Sequence, residues 1–283
     1  MHQVRRPAVA GSFYPADPAE LAAMVRRQLD SAGPALNALD AQASDRTAAG
    51  VPPAAVIAPH AGYIYSGTTA ALAYRLIARY ADRIARVVLL GPTHRVAVRG
   101  LATPGAQAFA TPLGEVPVED LRDHEVSRLP QLVESPDAHA YEHSLEVHLP
   151  FLQTVLREFT LVPLAVGVAA PEEVSAVLGE LCADRHTLVV VSSDLSHYLS
   201  YEQARAVDEA TVGQILRLQG PLRHEQACGA GPVNGLLLYA RRRGWVPRLL
   251  GMCNSGDTAG DRRRVVGYAS VAFDEASPPA IVD

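Results

Sequence analysis

The sequence predicts one α/β domain with a mainly parallel central sheet flanked by helices, and three observations lead there. Three apolar runs, Ala54 to Ala58, Arg86 to Gly91 and Thr187 to Ser192, read as strands buried on both faces, each followed by a polar loop. Helical patterns alternate with them, which is the order of a sheet covered by helices. No linker divides the 283 residues, so residues 1–283 are taken as a single domain.

Along the chain, a first helix is expected over Asp17 to Asp30. Residues 31–53, rich in Ala, Pro, Gly and Asp, read as a flexible surface loop. The strand Ala54 to Ala58 leads to a helix over Ser66 to Tyr80 and then to the strand Arg86 to Gly91. The segment Ala140 to Phe159 begins as a polar motif and becomes helical, with Pro150 at or near a first turn or kink. A strand over Thr160 to Gly167, a helix over Pro171 to Ala183 and the strand Thr187 to Ser192 follow. Helices over Tyr201 to Leu218 and Pro232 to Arg243 precede two more strands, Pro247 to Met252 and Val265 to Phe273, the second closing the same sheet. Residues 274–283 read as a loose tail.

Composition narrows the function. About half the residues are apolar (48%) and 19% are charged, the balance of a globular chain with a substantial core. A net charge of -5 argues against nucleic-acid binding, which needs a clustered basic surface. Every basic residue is Arg; the absence of lysine excludes Schiff-base chemistry and a Walker-type phosphate loop. The first residues carry Arg5 and Arg6 with no apolar run after them, and no stretch approaches the roughly 18 apolar residues of a membrane span. A cytoplasmic location is therefore expected. Cys182, Cys228 and Cys253 are too few and too odd for a disulfide framework.

Chemistry gathers at strand ends. His60, in Pro59-His60-Ala61-Gly62-Tyr63, and His94, in Gly91-Pro92-Thr93-His94, each follow a strand, and the run Ser192-Ser193-Asp194-Leu195-Ser196-His197 brings Asp194 and His197 to the same edge. Ligands bind at that edge in open α/β sheets. A single loop histidine is more often structural, but recurrence on three strands points His60 and His94 to a metal. Cys228 stands just before a helix with Pro232 in its first turn; the N–H groups and dipole there favour a thiolate, the metal-binding form. Cys182, inside a helical pattern, reads as a buried apolar residue, and Cys253 as the less favoured thiol. His143, Glu146 and His148 lack the helical zinc-protease spacing; His143 and Glu146 share a helix face and suit either a substrate contact or a cap-and-packing role.

Together these segments resemble the Memo family, also called AmmeMemoRadiSam system protein B. The match rests on Arg6-Pro7-Ala8-Val9-Ala10-Gly11-Ser12-Phe13-Tyr14, Ala58 to Gly67, Gly91 to His94, Phe109 to Leu113 with Gly114, Glu142 to Pro150, Ser192 to Tyr198 and Cys228 to Pro232. The resemblance implies a fold similar to class III extradiol dioxygenases, with His60, His94 and Cys228 as metal ligands and Asp194 and His197 as catalytic groups in the same pocket. Phe13, Tyr63, His143 and Glu146 are assigned to its substrate side. Iron(II) is the expected ion, with copper or zinc as alternatives.

A thiolate in place of the carboxylate of a two-histidine facial triad speaks against ordinary ring cleavage. The leading expectation is a metal-dependent oxidoreductase of undefined substrate. Competing with it are a binding module that holds an anionic peptide or partner, with Arg5, Arg6 or Arg95 near the mouth, and a zinc hydrolase. The family name further implies association with a radical S-adenosylmethionine protein.

Overall fold

The computed structural model describes residues 3–42, 50–182 and 184–276. The chain enters through β1 (Val4–Arg5) and a 25-residue helix, α1 (Pro18–Gln42). Leu21, Val25, Leu29, Ala32 and Leu36 are buried along α1 at the three- and four-residue spacing of one helix face. The loose loop expected over 31–53 is thereby corrected: through Gln42 this segment is helix, and Ala32 and Leu36 belong to the core. Gly33 and Pro34 suggest a break, but the apolar stripe continues through them. Burial of Leu36 offsets the hydrogen bond that Pro34 removes. Residues 43–49 lie outside the described residues.

The remaining elements follow in the expected alternation: β2 (Ala55–Ala58), α2 (Tyr63–Ile77), β3 (Arg86–Pro92), β4 (Leu101–Thr103), β5 (Ala108–Thr111), β6 (Gly114–Pro117), β7 (Leu132–Glu134) and α3 (Pro136–Ala140). Then come α4 (Leu149–Val155), β8 (Thr160–Val166), α5 (Pro171–Leu181), β9 (Thr187–Ser192), β10 (His197–Leu199) and α6 (Tyr201–Leu216). The last elements are α7 (Ala230–Arg243), β11 (Val246–Asn254) and β12 (Val265–Asp274). Pro150 sits in the first turn of α4, as expected.

The result is a mixed α/β domain with a central sheet flanked by helices. Its strand order is β10-β12-β2-β9-β3-β8-β4-β7, with β11 also pairing β12. The parallel part is the centre: β2, β9, β3 and β8 lie side by side in parallel register. Both margins reverse direction, since β12 runs antiparallel to β2 and β4 antiparallel to β8. The closing strand β12 is interior, with β11 outside it. Asp274, expected in the tail, is the last residue of β12, where its carboxylate accepts a hydrogen bond from Arg248 Nε at 3.2 Å. Residues 277–283 lie outside the described residues.

Alternate side chains of the central strands go to opposite faces, which is why these strands read as unbroken apolar runs. Val56, Ala58, Val87, Leu89 and Val190 join the core under α1, α2 and α4. Ala55, Ile57, Val88, Leu90 and Val191 join the other, under α5 and α7. The sheet thus holds the carboxyl ends of β2, β9 and β3 next to one another. A small second sheet, β1-β5-β6, carries the N-terminal segment alongside.

If α1 is core through Leu36, then Leu36→Ala destabilises the protein by about 2–5 kcal/mol, the usual cost of emptying a buried leucine site. Chemical denaturation of wild type and variant measures it; a change below about 0.5 kcal/mol would mark a surface position instead.

Candidate metal centre

Each site histidine is positioned by a strand end and then oriented by a hydrogen bond. His60 follows β2, and its ring is 2% exposed. Its Nδ1 lies 2.6 Å from Ser192 Oγ, and that hydroxyl donates to the Ser144 carbonyl at 2.6 Å. With its proton committed to Ser144, Ser192 Oγ accepts from His60 Nδ1–H. The tautomer is thereby set, and Nε2 keeps its lone pair. Burial first, and then the neighbouring histidines, hold the His60 pKa well below the usual imidazole range, so the ring is neutral.

His94 follows β3 and is oriented by Glu142. One Glu142 oxygen accepts from the His94 backbone N–H at 2.6 Å and the other faces His94 Nδ1 at 2.9 Å. The second oxygen also accepts the backbone N–H groups of His143 and Ser144, at 2.9 and 3.0 Å. Burial pushes the Glu142 pKa up, but the bonds from His94 and Ser144 outweigh it and bring it down to about 2. The group is a carboxylate, and His94 Nε2 is the nitrogen left to bind a ligand. A carboxylate on the far nitrogen of an imidazole is the usual support for a metal-ligating histidine.

His143 joins them. Its ring stacks on His94 with centroids 4.7 Å apart and meets His60 edge-on at 5.3 Å, while His60 and His94 are 5.2 Å apart. Ligand nitrogens of His60, His94 and His143 all lie within 4.8 Å of one another. Imidazoles bound at about 2.0–2.1 Å to a common ion place their centroids roughly 3.2 Å from it, hence about 4.5–5.2 Å apart at right-angle to tetrahedral spacing. The observed separations match that arrangement, and the three rings form a group that could hold a metal ion.

Comparison with known proteins gives the family. The family model described as Memo-like protein matches residues 5–272. A MEMO1 family protein of Archaeoglobus fulgidus is 36% identical, over 95% of this chain and 99% of its own length. One from Aquifex aeolicus is 34% identical over 96% and 99%. The chain belongs to the Memo-like protein family. A solved structure of an uncharacterised Escherichia coli K12 protein is 13% identical, with a TM-score of 0.45 over 76% of this chain and 98% of that one.

In this Memo-like protein the other expected site residues divide into those that face the three rings and those that hold the scaffold. Cys228 Sγ lies 3.2 Å from His60 Nε2 and accepts the Asp194 N–H at 3.3 Å. The expected easy thiolate is corrected: burial first, and then the Asp194 charge, push the thiol pKa well up, overriding the start of α7. Asp194 Oδ1 accepts the His60 backbone N–H at 2.7 Å, and Oδ2 lies 4.0 Å from His60 Nε2. Burial raises the Asp194 pKa to about 7, against the bonds from His60 and Ala61. His197 Nδ1 donates to the Leu195 carbonyl at 2.8 Å, which leaves its Nε2 free. His94, His197 and Cys228 line one cleft of about 560 Å³.

Two substrate-side assignments do not fit. The Tyr63 side chain is buried and its hydroxyl donates to the Val147 carbonyl at 2.6 Å. Glu146 is fully buried and accepts from the Ala8 and Val9 N–H groups at 2.7 and 3.0 Å, from the Tyr14 hydroxyl and from Arg5. Both residues are scaffold, joining the N-terminal segment to the turn that carries His143. Arg5, expected near the mouth, is likewise buried in that ion pair. Phe13, half-buried, does border the site, its ring 4.7 Å from His143. Glu142 and Ser192 were not singled out from the sequence. Their signal is positional: an acid adjoining a histidine motif, and a hydroxyl at a strand end beside two others. No helix among the described residues is long and apolar enough to cross a membrane.

The loop carrying Asp194 and His197 rests on Asp208, whose buried carboxylate accepts the Ser196 N–H at 3.0 Å. Burial raises the Asp208 pKa to about 6, above its unfolded value of 3.8. Between those values the folded state binds more protons than the unfolded one, so this group's stabilisation is full below 3.8 and lost as pH rises through about 6. Asp208→Asn removes that contribution. Melting curves from pH 4 to 7 should show wild type losing stability relative to the variant as pH rises; a constant difference would show that Asp208 does not titrate in this range.

Proposed function

We propose that this Memo-like protein binds one transition-metal ion between His60, His94, His143 and Cys228 and acts as a non-haem metal-dependent oxidoreductase. The observation that carries the reading is the paired orientation of His60 and His94, each with Nδ1 engaged so that Nε2 is left for a ligand, with Cys228 Sγ against His60 Nε2 and in one cleft with His94. The 3.2 Å from Cys228 Sγ to His60 Nε2 is about the separation of a sulfur and a nitrogen that share an ion near 90°. Three nitrogens and one soft sulfur are compatible with iron(II), copper and zinc; iron(II) is put first on the resemblance to class III extradiol dioxygenases. A bound redox-active ion would supply electron transfer with dioxygen or substrate.

The chain's own groups supply the rest. Asp194, with a pKa near neutrality, can hold or release a proton at Oδ2 beside His60. His197 presents a neutral Nε2 toward the cleft, where it can accept a proton from a bound substrate, because burial lowers its pKa. Ser192 and Glu142 keep the two imidazoles from turning.

The thiol supplies the test. With Nδ1 of His60 protonated, Nε2 faces the Cys228 sulfur as an acceptor, and a neutral thiol must give up its proton to coordinate an ion. Metal binding at pH 7 is expected to release about one proton per chain from Cys228. Calorimetric titration of iron(II) or zinc, under anaerobic conditions and in buffers of differing ionisation enthalpy, reads this number. Cys228→Ser should remove most of the release, leaving at most the fraction that Asp194 gives up, and weaken binding, and Glu142→Gln should weaken it about 10–100-fold. Proton release unchanged in Cys228→Ser would remove Cys228 from the ligand set. Elemental analysis, with the spectrum followed on oxygen exposure, then separates a redox ion from zinc; an ion inert to oxygen would contradict the oxidoreductase reading.

A further inference from the structure

The cleft beside the three imidazoles has a wall that the metal reading leaves unused. Arg223, His224 and Gln226, from the turn before Cys228, face His197, Tyr198 and Leu199 across it. The Arg223 guanidinium is exposed and makes no hydrogen bond or ion pair among the described residues. Its N–H donors therefore face the cleft and solvent without a protein acceptor. A second arginine, Arg264, lies across the Tyr198 ring with its guanidinium carbon 4.9 Å from the centroid.

Tyr198 is unusual in two respects. It is 63% exposed, and its backbone lies in the left-handed region at φ +61°. An aromatic residue there is strained, and such strain persists where the surrounding structure holds a side chain in a working position. In this case the conformation turns the ring out over the cleft, edge-on to His197 with centroids 5.7 Å apart. Leu199 and Val207 continue the apolar surface below it. The wall thus joins an open cationic fork, an aromatic face and an aliphatic patch within reach of His94 and Cys228.

We infer that this wall is the substrate's specificity subsite, and that the substrate class is a small organic carboxylate whose anionic end is held by Arg223 and whose apolar or ring portion lies on Tyr198, Leu199 and Val207. The planar guanidinium matches a carboxylate through two parallel hydrogen bonds. Arg264, on the Tyr198 ring, adds positive charge at the mouth without occupying the fork. Glu225, on the same wall, disfavours polyanions. The inference rests on the proposed metal site for the direction in which the substrate points, but the subsite itself is built from residues outside that site.

The test compares two probes that differ only in the carboxylate: 3,4-dihydroxybenzoate and 1,2-dihydroxybenzene. Affinities are measured by calorimetry on the protein as purified and again after dialysis against a chelator, with metal content determined in each sample. The expected result is tighter binding of the carboxylated probe to wild type by about tenfold or more, as for a charge-assisted pair. Arg223→Gln should collapse that preference in both metal states. Tyr198→Gly should weaken both probes while the melting temperature holds or rises, because glycine relieves the positive φ; a merely structural tyrosine would not separate the two readouts.

A preference that survives Arg223→Gln, or no preference in wild type, overturns the inference. If the preference needs the metal and ignores Arg223, the carboxylate sits on the ion: the subsite fails and the metal reading stands. If the preference follows Arg223 in a protein that binds no metal, the subsite stands and the metal reading fails.

Discussion

The Glu142 carboxylate is the constraint on which the site depends. It takes the backbone N–H and Nδ1 of His94 together with the backbone N–H groups of His143 and Ser144, so one side chain joins the loop after β3 to the turn before α4. A buried carboxylate left without such donors would cost several kcal/mol, so neither loop can drift without losing that compensation. Ser144 extends the linkage, since its carbonyl takes the Ser192 hydroxyl and thereby orients His60. Three strand ends and one turn are locked into a single arrangement before any ligand is present.

Glu146 does the same work one turn further on, and for a different purpose. Its ion pair with Arg5, with bonds from Ala8, Val9 and Tyr14, pins the N-terminal segment against the turn that carries His143. That places Phe13 against the His143 ring. Two acids in one motif, Glu142 one residue before His143 and Glu146 two residues before His148, therefore divide the labour: Glu142 aims imidazoles, and Glu146 closes the scaffold behind them.

The sheet and the positions of His60, His94 and Asp194 were legible because they depend on local information. A strand buried on both faces must be apolar throughout, and a residue two positions past its end must stand at its carboxyl edge. What the sequence hid depends on distant partners. His143 reaches the cluster through Glu142, a contact that no periodicity announces, and the roles of Tyr63 and Glu146 follow from backbone groups contributed by other segments. Polar residues in a motif serve buried N–H and C=O groups as often as they serve ligands. The extension of α1 was hidden for the opposite reason, since Gly33 and Pro34 outweigh in propensity the stripe that tertiary packing preserves.

The thiol shows the same competition. The start of α7 lowers a nearby thiol's pKa, yet most of the Cys228 thiol is buried beside Asp194, and desolvation outweighs the helix start. In the proposed function these groups surround a single ion. Anomalous-difference maps, collected at and below the absorption edge of the metal that elemental analysis identifies, test it most directly. One peak within about 2.0–2.4 Å of the Nε2 atoms of His60 and His94, with Cys228 Sγ and His143 at its border, is the predicted result. Crystals of metal-replete protein with no peak there, or with their peak elsewhere, would contradict it.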